Sequence, residues 1–214
     1  MTRPSTFTLS LVMILLLGGS AAAQTPDAGK RFPQVTLDAL TAEQRPVAQE
    51  ILKVSSLGLA GPYNPLLRSP LLAERMVKIL DYLRFNTSVP RRLNEFAILI
   101  QARLWTSQVE WHAHYPLAIK AGLTASVADD LKEGRRPGGM QPDEALVYDF
   151  CMELSTTHAV SDATFARARA LMSEQQIVDL IAVSGTYVTV AMLLAAGQEG
   201  APGGQTPLAP LPAR

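Results

Sequence analysis

The chain has a single cysteine among its 214 residues, Cys151, so no intramolecular disulfide can form. Aromatic residues are also few, at 6% against 48% hydrophobic residues overall, a balance that suits a helical globular protein. No charge of either sign is in excess: Lys+Arg and Asp+Glu each number 19, so no bulk field draws the chain to nucleic acid or to an anionic membrane. There is no run that reads as a β-sheet and no internal repeat. The N-terminal apolar run, residues 7–17, falls well short of the ~20 residues that span a bilayer.

That run has the pattern of an export signal. Arg3 supplies the positive charge before it, and Ala21-Ala22-Ala23 supply the small residues that signal peptidase needs, with cleavage expected before Gln24. Residues 1–23 are therefore expected to be a signal peptide and the mature protein soluble, periplasmic or secreted, with no membrane association after cleavage. Residues 24–40 read as a polar arm, 41–200 as one helical domain, and 201–214, rich in Gly and Pro, as an extended tail.

Helical signals follow one another through the domain. Thr41 can cap a helix over 41–56. Residues 58–69 read as a loop, and Ser69-Pro70 opens a helix carrying Leu72, Met76, Ile79, Leu80 and Leu83. Ser88 and Pro90 open a helix to about residue 105, whose apolar run 96–100 predicts burial on most sides. Further helices are expected over 107–121 with Pro116 inside, 125–133, 142–157, 162–172 and 174–197. The last is too apolar for one domain face, which predicts a central position or an oligomer interface.

Glu95 falls on the buried-looking helix with Ile98, Leu99 and Ala102 ahead of it, so it must protonate or find a partner. Arg91 or Arg92, one turn back, would serve in a plain helix-start ion pair. On the next helix Glu110 and His114 stand four residues apart on one face, with Ser107 one turn earlier and His112 on another face. Such a pair is commonly a surface contact. It can also be proton-transfer chemistry, with Glu110 fixing the tautomer of His114 and Glu95 acting as the complementary acid. The same Glu95, Glu110 and His114 could instead ligate a divalent metal ion such as zinc, manganese or iron. Cys151 sits among Ala145, Leu146 and Leu154 and reads as a buried structural thiol.

Taken together, Arg92-x-x-Glu95-x-x-Ile98-Leu99, Ala102-Arg103, Glu110-Trp111-x-x-His114 and Ala118-x-x-Ala121-Gly122-Leu123 resemble the core of the carboxymuconolactone decarboxylase and alkylhydroperoxidase D-like family. Gly61-Pro62-x-Asn64-Pro65, Gly134-Arg135-Arg136-Pro137 and Gly185-Thr186-Tyr187 add to the likeness, which covers about residues 41–200. It implies an all-α, alkylhydroperoxidase D-like helical bundle that assembles as a homo-oligomer, trimer or hexamer. In the peroxidase branch a glutamate precedes a Cys-x-x-Cys-x-x-x-His motif by twelve residues. The matching positions here are Glu95, Ser107, Glu110 and His114, so the acid and the histidine are kept and both cysteines are replaced. Disulfide-based peroxide reduction needs a thiolate and a resolving thiol, so that activity is not expected.

The decarboxylase branch implies a cofactor-independent lyase or isomerase acting on a small lactone or carbonyl acid through Glu95, Glu110 and His114. Arg68, Arg91 or Arg92 would bind a substrate carboxylate, and Ser107, Trp111, Tyr63, Asn64 and Tyr187 would line the pocket. The alternatives are a metal-dependent enzyme using the same glutamates and histidine, and a non-catalytic protein that binds a small ligand.

Overall fold

The computed structural model describes residues 30–211; the expected signal peptide, residues 1–23, lies outside the described residues. Among these residues the chain forms nine α-helices and no strand. They are α1 (Gln44–Val54), α2 (Tyr63–Leu66), α3 (Pro70–Asp81), α4 (Arg91–Leu104), α5 (Gln108–Lys120), α6 (Ala125–Lys132), α7 (Pro142–Thr156), α8 (Asp162–Leu171) and α9 (Glu174–Gly197).

Helix α4 is the axis of the bundle. Every residue from Leu93 to Arg103 is buried, and α5, α7 and α9 pack around it, with α6 at one end. Its apolar run, Phe96 to Ile100, contacts no solvent at all. Burying side chains of this size stabilises the fold by about 1.5–3 kcal/mol each, before the entropy cost of ordering them. Helices α1 and α3 form a second pair beside this core, and α8 lies against α7 and α9. Helix α9 has the length and hydropathy of a membrane span, yet half of its most apolar window is buried inside the protein. Its other face leaves Val178, Ile181 and Met192 exposed, with open space in front of Gly185.

Local chemistry sets the helix ends. Ser161 and Ser173 accept the amides of Thr164 and Gln176, and Gln176 returns the favour to the Ser173 amide, closing a capping box on α9. Proline opens α3 and α7, although the Ser69 hydroxyl makes no capping bond. Thr41 caps the entry to α1 by exchanging side-chain and backbone hydrogen bonds with Gln44, and the regular helix runs from Gln44 because Pro46 has no amide hydrogen to bond back to Ala42. Pro116 deprives the His112 carbonyl of its usual amide without ending α5.

Three features depart from the sequence expectation. The stretch 58–69 contains the one-turn helix α2, entered through Gly61, whose positive φ would strain any side chain and where a Cβ would crowd Leu57. Helix α3 runs on into a π turn, Tyr82–Asn86, that no periodicity announced. The tail folds back on the bundle: Ala201 and Leu208 are buried, and the Gln108 amide exchanges two hydrogen bonds, 2.8 and 2.9 Å, with the Leu208 backbone.

Candidate functional site

Helices α4 and α5 are joined by Trp105, Thr106 and Ser107, with Thr106 in the left-handed region. This tight reversal lays α5 antiparallel along α4 and brings Glu95 level with His114. Glu95 Oε2 lies 2.7 Å from His114 Nδ1, and both side chains are buried. With Glu95 ionised, the Nδ1 proton is donated to the carboxylate and the Nε2 lone pair is left available. Glu95 Oε1 stands 3.4 Å from Arg91 Nη2, so the ion pair one turn back exists beside the histidine contact and does not replace it. The edge of the His114 ring meets Tyr187 of α9, with the two ring centres 5.0 Å apart.

Glu110 does not orient His114, contrary to the sequence expectation; Glu95 does. The two carboxylates have exchanged roles because the neighbouring helix offers His114 Nδ1 a better-placed oxygen than its own helix does. Glu110 is left buried, and neither of its oxygens completes a hydrogen bond. Burial pushes its carboxyl up to about 8; the Ser107 hydroxyl stands near enough to oppose this weakly, without closing a bond of full geometry. Near neutral pH, Glu110 is therefore mostly a protonated acid.

His114 and Glu110 face a cavity of about 50 Å³, together with Tyr63 from α2, Arg84 from the π turn and Tyr187. Leu80, Val190 and Leu194 give it apolar walls, and the exposed Ser56 marks where it meets solvent. Glu95 is not among the lining residues; it stands behind His114 and acts through it. Burial raises the Tyr63 and Tyr187 phenols, and the Arg84 charge opposes the rise at both. A larger groove of about 980 Å³ runs between α1 and α3 among surface side chains such as Glu50, Lys53, Glu74 and Lys78. None of the buried polar groups of α4 and α5 reaches it, so size is no guide to chemistry here.

The remaining expected site residues lie outside the cavity lining. Asn64 is a structural hub: it donates to the Phe32 carbonyl and to Glu199, and accepts from the Val35 amide, which pins the arm beside the end of α9. Arg68 donates to the carbonyls of Asn64 and Pro33 and lies over the Phe32 ring. Trp111 is buried against Tyr115. Arg92 bridges α4 to Asp143 and Glu144 at the start of α7. Ser107 stands at the position before α5, near Glu110, where its hydroxyl makes no capping bond, and it does not line the cavity. Among the described residues, no three His, Cys, Asp or Glu side chains converge on a point that could hold a metal ion, and that includes Glu95, Glu110 and His114.

The cation in the cavity, Arg84, was not anticipated. It extends the buried stripe Ala73, Val77 and Leu80 by one further turn, so a charge on a core-facing helical position was the available signal. Cys151 is wholly buried 3.3 Å from Ser184 Oγ, and burial pushes its thiol up to about 12.

No protein-family profile matches the sequence, and no curated protein matches it. Among solved structures, the chain is similar to an alkylhydroperoxidase AhpD core structure, an uncharacterized peroxidase-related protein from Ralstonia eutropha JMP134. The two share 15% sequence identity over 82% of this chain and 94% of that one, with a TM-score of 0.69. At this identity the likeness speaks to the backbone: the chain has the alkylhydroperoxidase AhpD-like helical fold.

Proposed function

We propose that the protein is a cofactor-independent acid–base enzyme, a lyase or isomerase acting on a small lactone or carbonyl acid. The observation that carries this reading is the buried Glu95–His114 bond, which leaves His114 Nε2 available on a cavity shared with the protonated Glu110. His114 Nε2 takes a proton from the carbon next to the substrate carbonyl, and Glu110 gives its proton to the oxygen or carbon where negative charge develops. Glu95 is the positioning residue that holds the histidine tautomer and stabilises the imidazolium once it forms. A thiol peroxidase mechanism has no support: the single thiol is buried, un-ionised and outside the cavity. The same reading takes the chain to be exported and to be a homo-oligomer joined through the exposed face of α9.

The test is proton exchange. A panel of small lactone and keto acids in D2O is followed by proton NMR with wild type, His114→Ala, Glu110→Gln and Glu95→Gln. Loss of α-proton signal or product formation with wild type, reduced about 10²–10⁴-fold in His114→Ala with the fold intact, is the expected result. Equal exchange by wild type and His114→Ala would refute the assignment. Saturable binding without exchange would favour a binding protein, and one metal per subunit that disappears in His114→Ala would favour the metal-dependent alternative.

A further inference from the structure

Most arginines of the described chain face a carboxylate or are bound to the backbone, while Arg45, Arg84 and Arg103 show no carboxylate within ion-pair distance among the described residues. Arg91 faces Glu95, Arg92 faces Asp143 and Glu144, Arg136 and Arg167 share Asp149, and Arg68 is bound to the arm. Arg84 differs. Among the described residues no carboxylate lies within ion-pair distance of it, and its Nη1 donates to the Val54 carbonyl at 2.9 Å. Its guanidinium lies over the Phe85 ring, 4.9 Å from the ring centre, and Arg84 lines the cavity beside the Tyr63 phenol, whose ionised form it favours. A half-buried guanidinium on a largely apolar cavity wall, with no carboxylate beside it, is open to pairing with a bound anion.

The backbone shows how it is placed. The π turn Tyr82–Asn86 widens the end of α3 and carries Arg84. Such single-turn insertions tend to occur where a side chain must be re-aimed. The turn is fastened by the buried Asp179 of α9, which accepts hydrogen bonds from Tyr82, Thr87 and both the amide and hydroxyl of Ser88 at 2.7–3.2 Å. The other ionisable groups around the cavity leave the positive charge uncancelled: Glu110 is mostly protonated near neutral pH, and Glu95 is turned to His114 and Arg91.

We propose that Arg84 and the Tyr63 hydroxyl form a carboxylate-binding subsite that orients a small organic acid toward His114. This deepens the acid–base reading by giving the substrate carboxylate its own counter-ion, distinct from the groups that move protons. The guanidinium donates in-plane hydrogen bonds to the carboxylate oxygens, Tyr63 adds a third, and the adjoining carbon is left facing His114 and Glu110. The cavity's volume of about 50 Å³ restricts the buried part of the ligand to a carboxylate and one or two carbons, the remainder extending past Ser56.

The probe is acetate, with acetamide as its uncharged counterpart at matched ionic strength. The Arg84 Nε–H resonance, assigned by its absence from Arg84→Lys, is followed during titration of the full mature chain. The expected result is a saturable shift with acetate and none with acetamide. Acetate binding, followed by the amide resonances around His114, should weaken tenfold or more in Arg84→Gln and less in Arg84→Lys, which keeps the charge and loses the fork. Acetate binding by wild type with no proton exchange from any of the small acids would sink the acid–base reading and leave the subsite standing. No saturable shift in wild type, or equal acetate affinity in wild type and Arg84→Lys should Arg84→Gln fail to fold, would overturn the subsite.

Discussion

Replacing Glu110 with glutamine should change how the stability of the protein depends on pH. Burial raises the folded-state carboxyl from 4.5 to about 8, so the folded chain holds the Glu110 proton more tightly than the unfolded chain does. The stability linked to this group is fully present below about pH 4.5, falls as pH rises, and levels off above about 8, where the folded group ionises too. Each unit within that window costs the folded state about 1.4 kcal/mol. Between pH 5 and 7, where the unfolded carboxyl completes its ionisation, the accumulated loss is roughly 2.5 kcal/mol. Glutamine keeps the shape and has no proton to lose. Any constant cost of burying its amide shifts the whole curve without tilting it. Urea unfolding of wild type and Glu110→Gln at pH 5, 6, 7 and 8, at fixed protein concentration, should therefore show the variant gaining on wild type by roughly 2.5 kcal/mol from pH 5 to 7. Curves that stay parallel to within about 0.5 kcal/mol would show that Glu110 is not held protonated, and the acid in the proposed mechanism would be lost with it. The gain would also identify Glu110 as a residue kept at the expense of stability, which is characteristic of functional sites.

Two further outcomes follow from the packing. Asp179→Ala strips the acceptor from Tyr82, Thr87 and Ser88 at the start of α4, and should lower stability by roughly 3 kcal/mol in denaturant unfolding; a loss below about 0.5 kcal/mol would mean that the π turn holds itself. Ile181→Lys, on the exposed stripe of α9, should convert an oligomer into monomers when mass is measured by light scattering, and an unchanged mass would remove that face as the interface.

The helices were legible because their signals are local. Pro70 and Pro142 at first positions and the apolar run of α4 act within a few residues of themselves, and the structure has helices starting where they stand. The π turn left no such mark, since a fifth residue in a turn changes no composition and here depends on Asp179, some ninety positions away. The tail was read by its Gly and Pro content as an extended arm, whereas Gln108 and a buried Leu208 hold it against α5.

For the site, sequence by itself singled out Glu95, Glu110 and His114, because charged and imidazole groups on apolar helical faces must be accounted for. It also excluded an intramolecular disulfide, since the chain has one cysteine. Tertiary structure alone decided their roles. Spacing along α5 made Glu110 the expected partner of His114, but a hydrogen bond is won by the oxygen with the right distance and direction, and the antiparallel packing of α4 gave that oxygen to Glu95. The same packing shut Glu110 away from any partner and turned it into an acid. It also closed the cavity over Arg84, whose charge has meaning only beside side chains brought from α2, α5 and α9. Periodicity reports the face a residue occupies; burial, direction and the partner across the gap are fixed only when the helices meet.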